Sequence, residues 1–204
     1  MLIEKVVNYV KIKGKYKAVL KDNSTKHGSG VCDISNIGKV RFLKAEGNVQ
    51  SKHLDIDEIA LKGKIYIASV KAKNIKLVGN IKSDEVLADS LRCEFSGVSS
   101  IKHIKVSKVD IHPECHKNSE VVSGLFERFF GKKIAFPDDS ILNIFKANII
   151  KADYIKISNA EIDFISGKNV VVGEGCKISY IEYTDSLDVS SSAVVGKIVL
   201  KKSD

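Results

Sequence analysis

The segment HPECH brings metal-binding side chains close together in the sequence. His112, Cys115 and His116 offer imidazole and thiol groups, and His103 or Cys93 could join them from a neighbouring stretch of chain. Structural zinc is held by four such ligands, at about 2.0–2.3 Å, whereas the local spacing supplies fewer. Two interpretations are open, a metal site completed from elsewhere or an exposed polar loop. The shortfall in ligands favours the loop, and we expect no bound metal.

Residues that could act as catalysts are scattered. His27, His53 and His103 have no serine or cysteine at the spacing of a catalytic motif, and there is no glycine-rich phosphate loop or paired-carboxylate signature. We therefore expect a protein that is not an enzyme and that needs no cofactor. One enzymatic alternative comes from VVVGEGCKI, residues 170–178, which resembles a pair of acyltransferase hexapeptide repeats. Acyl transfer needs a general base, usually histidine.

An aromatic and basic segment, SGLFERFFGKK, is the best candidate for a contact site. Phe126, Phe129 and Phe130 have helical spacing, and Lys132 and Lys133 follow them. An amphipathic helix of this kind can lie on an anionic membrane surface or against a partner. The alternative, which we favour, is that the phenylalanines cap the end of the repetitive β-structure that precedes them in the chain.

Composition and charge are those of an ordinary globular protein with a basic surface. The chain has 204 residues, 44% of them hydrophobic, and a net charge of +8 that comes from lysines spread along its length. An acidic protein, a membrane surface and nucleic acid are open as partners, nucleic acid being the least expected. The start, MLIEKVVNYVKIKGK, is a poor signal peptide. We expect a cytoplasmic protein, with the inner face of the membrane as a second location.

The four cysteines are not arranged for disulfides or zinc. They lie far apart without a C-x-x-C pair, at Cys32, Cys93, Cys115 and Cys176. This pattern argues against both a disulfide scaffold and a zinc ribbon, so we expect reduced thiols. Cys32 and Cys93 stand where other repeats place apolar residues, which predicts that both are small core residues.

A repeat with a period of 16 to 18 organises most of the chain. Glycines 14, 30, 47, 63, 79 and 97 follow one another at spacings of 16, 17, 16, 16 and 18. At two fixed distances after each of the last five glycines, the residue is always apolar. Seven residues on stand Ile37, Leu54, Val70, Val86 and Ile104, and twelve residues on stand Phe42, Ile59, Ile75, Leu91 and Val109. Since such a unit cannot bury its apolar face alone, the repeat predicts units stacked on one another.

The residues within each unit alternate as they do in β-strands. In KIYIASVKAKNIKL the apolar residues Ile65, Ile67, Val70, Ile75 and Leu77 share one side, and Lys64, Tyr66, Lys71, Lys73 and Lys76 largely share the other. The repeat therefore predicts an all-β, single-stranded β-helix, or β-solenoid, in which each unit is one rung. Stacking in this register also places Lys73 beside Asp57 and Asp89, and Lys71 beside Asp55, so that opposite charges face each other.

The repeat is interrupted once. Period two stops after Pro113 and resumes near position 134, where Asp153, Asn169 and Asp185 recur at a spacing of 16, and Ile162, Ile178 and Val195 at spacings of 16 and 17. We predict an N-terminal β-solenoid with a cap (1–113), a connector of loop and short amphipathic helix (114–133), and C-terminal β-solenoid rungs (134–204). The second part either stacks on the first or lies beside it.

The glycine-marked rungs resemble the bactofilins, bacterial polymer-forming cytoskeletal proteins. The closing segment KNVVVGEGCKISYIEYTDSLDVSSSAVVGKI and the connector LFERFFGKK are similar to those of a longer bactofilin-like group. The resemblance implies a right-handed β-helix core and a structural, self-assembling role, with other cytoskeletal or cell-wall proteins as further partners.

The ends of a solenoid give this role a physical basis. They carry unpaired strand edges, which pair with other copies unless they are capped or charged. In GKIVLKKSD, the two adjacent lysines, Lys201 and Lys202, are the only such device. We therefore expect a self-associating scaffold that forms oligomers or filaments through its ends. A monomeric or dimeric binding module is the first alternative and an acyltransferase the second.

Overall fold

The alternating segments form β-strands throughout the part of the chain that the structure describes. The computed structural model describes residues 10–20, 24–33, 40–114 and 143–202. Within these ranges there are nine strands and no helix. The strands are β1 (Val10–Leu20), β2 (Thr25–Asp33), β3 (Val40–Asp55), β4 (Glu58–Phe95), β5 (Val98–Pro113), β6 (Ile144–Ile157), β7 (Ala160–Val172), β8 (Lys177–Val189) and β9 (Val194–Leu200).

The strands stack as a β-solenoid of about eight turns, which confirms the predicted fold class. From β3 to β9, each strand pairs in parallel with the next one along the chain. The 38-residue strand β4 winds back along itself. Its Gly63 and Gly79 are neighbours on successive rungs, because a Cβ added to Gly79 would lie 2.3 Å from the carbonyl oxygen of Gly63. The right-handed winding implied by the resemblance stays a prediction.

The core forms from the inward columns that the repeat predicts. Leu54 pairs with Val70, and Val86 with Ile104. Each is at most 1% exposed. The five apolar residues of KIYIASVKAKNIKL are also buried, whereas its Lys64, Tyr66, Lys71, Lys73 and Lys76 are exposed. Period-two alternation therefore separates the core from the surface as expected.

Opposite charges face each other on neighbouring rungs. Lys73 Nζ lies 3.6 Å from Asp57 Oδ1, and Lys71 stands opposite Asp55 in the strand register. Exposed pairs of this kind contribute at most about 1 kcal/mol each. This arrangement avoids the repulsion that like charges directly opposite each other would cause.

The repeat predicts that every glycine-marked unit is a parallel rung, and this prediction is wrong for the units of the first two glycines. Strand β1 is antiparallel to both β2 and β3, so that β1 and β2 form a hairpin at the edge of the sheet. Gly14 nevertheless lies opposite both Gly30 and Gly47. The glycine column is therefore continuous although the chain direction reverses within it.

Three details of the predicted register are also wrong. Leu43, rather than Phe42, lies opposite Ile59. Asp153, Asn169 and Asp185 do not share a column, because Asn169 pairs with Tyr154 and Ser186 and the register shifts between Gly167 and Asn169. Rung length also varies beyond the expected 16 to 18, since β6 and β7 pair with an offset of 15, as from Phe145 to Ala160. By contrast, Ile162, Ile178 and Val195 do share one column.

The C-terminal rungs stack directly on the N-terminal ones. Strand β6 pairs in parallel with β5, with Ile104 opposite Ile150. The buried rings of Phe95 and Phe145 are in contact across this junction, with their centroids 5.6 Å apart. Both sets of rungs therefore belong to one sheet and one core. The predicted helical connector lies outside the described residues, and the domain boundaries stay a prediction.

Candidate functional site

The contact site predicted from the connector lies outside the described residues. This applies to all five of its residues, Phe126, Phe129, Phe130, Lys132 and Lys133, and to Cys115 and His116 of the HPECH segment. Within the described residues, no three His, Cys, Asp or Glu side chains are grouped so that they could hold a metal ion. His112 Nδ1 lies 3.0 Å from the carbonyl oxygen of Pro113.

Two cysteines belong to the core. Cys93 is completely buried and Cys176 is 1% exposed. Burial raises the pKa of both thiols, and the charge of Glu94 adds to the rise at Cys93. Because the thiolate is the form that binds metals and attacks electrophiles, these two thiols are inert. The prediction that Cys93 is a core residue is confirmed, while the side chain of Cys32 lies outside the described part.

The lateral surface carries ion pairs between rungs. The carboxylate of Glu161 lies 2.8 Å from Lys146 Nζ and 3.9 Å from Lys177 Nζ, on the rungs to either side of it. The hydrogen bond from Lys146, together with the charges of both lysines, lowers the pKa of Glu161. These three residues line a surface groove of about 600 Å³. Glu161 bridges the two lysines, so these ion pairs link three successive rungs along the groove.

The final rung is built by a tight turn followed by a short strand. After β8, the amide of Ala193 donates to the carbonyl oxygen of Ser190 at 3.0 Å, and the amide of Val194 donates to that of Cys176 at 2.9 Å. These bonds set β9 in register on β8, with Ile181 opposite Ile198. The serine-rich sequence SSS suits this turn because its side chains can bond to the nearby backbone. The amide of Ser192 lies 3.4 Å from Ser190 Oγ.

In the part of the chain that the structure describes, the core is open at this end of the solenoid. One inward column consists of four isoleucines on successive rungs, Ile150, Ile165, Ile181 and Ile198. The first three are 0% exposed, whereas Ile198 is 48% exposed. A further strand laid on β9 would bury it. We call β9 with its exposed Ile198 and Leu200 the open end.

The backbone of β9 is also open. Among the described residues, β9 pairs with β8 on one side and with no strand on the other. Backbone amide and carbonyl groups on that side are therefore available to another strand, as at any sheet edge. Leu200, 61% exposed, and Val194, 64% exposed, add apolar surface to this edge.

Lysine does little to block the open end. Lys201 forms an ion pair with Glu182 on the rung before it, and the hydrogen bond between them raises the pKa of Lys201. Lys197 Nζ lies 5.4 Å from the centre of the Tyr180 ring, which in turn stacks on Phe164. Both lysines thus make their contacts back along the solenoid. Of the two terminal lysines expected to protect this edge, Lys201 has its charge compensated.

The opposite end of the described structure has a different character. Strand β2 is the edge there, and the neighbouring β1 carries alternate lysines, Lys11, Lys13, Lys15 and Lys17. Ile12, between the first two lysines, is completely buried. This end therefore combines a covered core with a basic outer side, whereas the open end presents apolar side chains.

Comparison of the chain with protein-family models, with curated proteins and with solved structures found no match. The fold and the open end are therefore the features from which a function can be inferred. No described residue belongs to a helix with the length and apolar character needed to cross a membrane.

Proposed function

We propose that this protein is a non-enzymatic scaffold that associates with further copies of itself through the open end of its β-solenoid, in the manner of the bactofilins. The observation that carries the proposal is the isoleucine column that is buried at Ile181 and half exposed at Ile198. A soluble chain that leaves both an apolar core and a strand edge uncovered is suited to pairing at that point.

A second copy fits the open end because it offers the same interactions that already join the rungs. Backbone hydrogen bonds continue the ladder, and apolar side chains continue the columns. No nucleotide or other energy source is needed, since each joint repeats contacts present within the chain. Stacking of like units is the usual source of stability in solenoid proteins.

The strand positions favour a joint between two open ends. Counting only residues that the structure describes, a joint between β9 and the β2 edge of another copy, made in the same register, would leave most of β9 unpaired. Following the pairing from rung to rung, the last residue of β2, Asp33, lies in the column of Val194, the first residue of β9. Two copies of β9 meeting across a two-fold axis can pair along their full length, and such a symmetric contact closes as a dimer. Filaments additionally require a contact at the other end.

The test is the assembly state of a variant with a charge at the open end. We expect the wild-type protein to form dimers or longer assemblies as its concentration rises, measured by sedimentation velocity and seen by negative-stain microscopy. Ile198→Lys is expected to remain a monomer, because pairing would bury an unpaired ammonium group, which costs several kcal/mol.

The matched control is Val98→Lys, which introduces the same charge on the side of the solenoid. Val98 is 51% exposed, close to the value for Ile198. We expect this variant to assemble like the wild type. Small uniform particles of the wild type at every concentration and salt would instead favour the alternative of a monomeric binding module, and equal loss of assembly in both variants would rule out an interface at the open end.

A further inference from the structure

The N-terminal hairpin carries a dense group of lysines on its outer side. Alternate residues of a strand lie on one side of the sheet. The lysines of β1 therefore lie on the same side as the residues opposite them on β2 and β3 and, one strand further, on β4. Lys17, for example, lies opposite His27 on one side and Lys44 on the other. We call this group the lysine face. It consists of Lys11, Lys13, Lys15, Lys17, Lys44, Lys62 and Lys64.

Carboxylates do not balance the lysine face. In its columns the acidic residues are Glu46, opposite Lys15 and Lys62, and Asp33, opposite Lys11. No ion pair within 4 Å joins any of the seven lysines to a carboxylate whose side chain the structure describes.

Seven lysines elsewhere among the described residues form ion pairs with carboxylates. Lys102 lies 2.7 Å from Asp84, and Lys168 lies 3.0 Å from Asp153. Like charges on neighbouring strands destabilise a sheet. The lysine face therefore carries a cost in stability that an anionic partner would remove.

Apolar side chains on the same side indicate which anionic partner fits. Val31 lies opposite Lys13 and is 65% exposed, more than any other large hydrophobic residue that the structure describes. Tyr66, 38% exposed, follows Lys64 by two residues on β4. Valine gains nothing from nucleic-acid phosphates, whereas it is stabilised in the boundary of a bilayer. Tyrosine is enriched at the same depth.

We propose that the lysine face docks on an anionic lipid membrane, with the ammonium groups near lipid headgroups and Val31 at the acyl boundary. This surface is distinct from the connector and from the open end, so it requires neither. Membrane attraction grows by a roughly constant increment with each lysine near the surface and weakens as salt screens the charges.

The test is co-sedimentation with phosphatidylcholine vesicles that contain or lack phosphatidylserine. We expect the wild-type protein to pellet with the anionic vesicles alone, and to be released by salt. The triple variant Lys13→Gln, Lys15→Gln, Lys17→Gln is expected to bind about a hundredfold more weakly. Val31→Ser is expected to weaken binding by about tenfold without changing the salt dependence.

The matched control removes three charges from another column of the solenoid, in which Lys105 lies opposite Lys151, with Lys71→Gln, Lys105→Gln and Lys151→Gln. All three lysines are exposed. This control should bind anionic vesicles within about twofold of the wild type, because attraction to the surface falls off over a Debye length of roughly 10 Å. The proposal is overturned if the control loses as much binding as the hairpin variant. It is also overturned if the wild type retards DNA in a bandshift assay but does not pellet with anionic vesicles.

Discussion

Replacing Gly63 by alanine is expected to destabilise the solenoid by more than about 4 kcal/mol. Gly63 has a φ of +117°, which L-residues rarely adopt, and a Cβ there would lie 2.2 Å from the carbonyl oxygen of Gly47 on the previous rung. That oxygen belongs to the backbone and cannot move aside without breaking the ladder. The free energy of unfolding, measured by urea denaturation, checks the expectation.

A series of glycines separates steric exclusion from backbone strain. Gly30 has a similar φ of +111°, but nothing lies within 4 Å of its Cβ position. Gly30→Ala should therefore cost only the strain, about 1–3 kcal/mol. Gly97→Ala should cost about as little or less, because its φ of +60° lies in the left-handed region that L-residues do adopt and its Cβ would lie 3.3 Å from the side-chain nitrogen of Asn80. If Gly63→Ala cost no more than Gly30→Ala, close packing of the rungs at this column would not be what requires glycine.

Truncating the isoleucine column is expected to have very different effects at its middle and at its end. Ile165→Ala should cost about 3–4 kcal/mol, because Ile165 is completely buried between Ile150 and Ile181 and leaves a cavity. Ile198→Ala should cost about 1 kcal/mol in dilute solution, where its exposed half already contacts water. Urea denaturation at low protein concentration measures both.

Raising the protein concentration should change the stability cost of Ile198→Ala but not that of Ile165→Ala. If another copy covers the open end, Ile198→Ala loses additional stability under conditions in which the wild type is assembled, because assembly stabilises the folded chain by mass action. Ile165→Ala should keep the same difference from the wild type, since its site is buried in either state. Equal costs for the two variants in dilute solution would mean that the described end is not open.

The sequence predicted the fold class because two independent patterns agree. Strand alternation separated core from surface, as in Ile65 and Lys64, and the glycine spacing aligned the rungs. Neither pattern contains chain direction. An antiparallel strand has the same alternation and can place its glycine in the same column, as Gly14 does between Gly30 and Gly47. The hairpin could therefore not be distinguished from two further rungs.

The register errors have a similar origin. The even spacing of Asp153, Asn169 and Asp185 is a true regularity of the sequence, but the rungs differ in length and the register shifts after Gly167. Residues with positive φ at the bends between strands could have indicated the true register. Asn159 and Gly175 both have positive φ and lie one above the other, since a Cβ on Gly175 would meet Asn159 Oδ1. Asparagine tolerates this conformation better than most residues, so it can take the place of glycine in the column.

The open end was predicted from GKIVLKKSD, but its chemistry was predicted only in part. Apolar residues close to a strand edge were visible in the sequence. The ion pair between Lys201 and Glu182 was not, because it depends on the β8–β9 register, in which Tyr183 lies opposite Leu200. Because of that pair, Lys201 protects the edge less than the sequence suggests, since the preceding rung compensates its charge.

Hydrogen–deuterium exchange at increasing protein concentration tests the central claim most directly. We expect the amides of β9, Val194–Leu200, that point away from β8 to exchange rapidly in dilute solution and to become protected as the protein assembles, while amides in β4 to β7 stay protected throughout. The Ile198→Lys variant should keep rapid exchange in β9 at every concentration. Larger assemblies that form without added protection in β9 would contradict self-association through the open end.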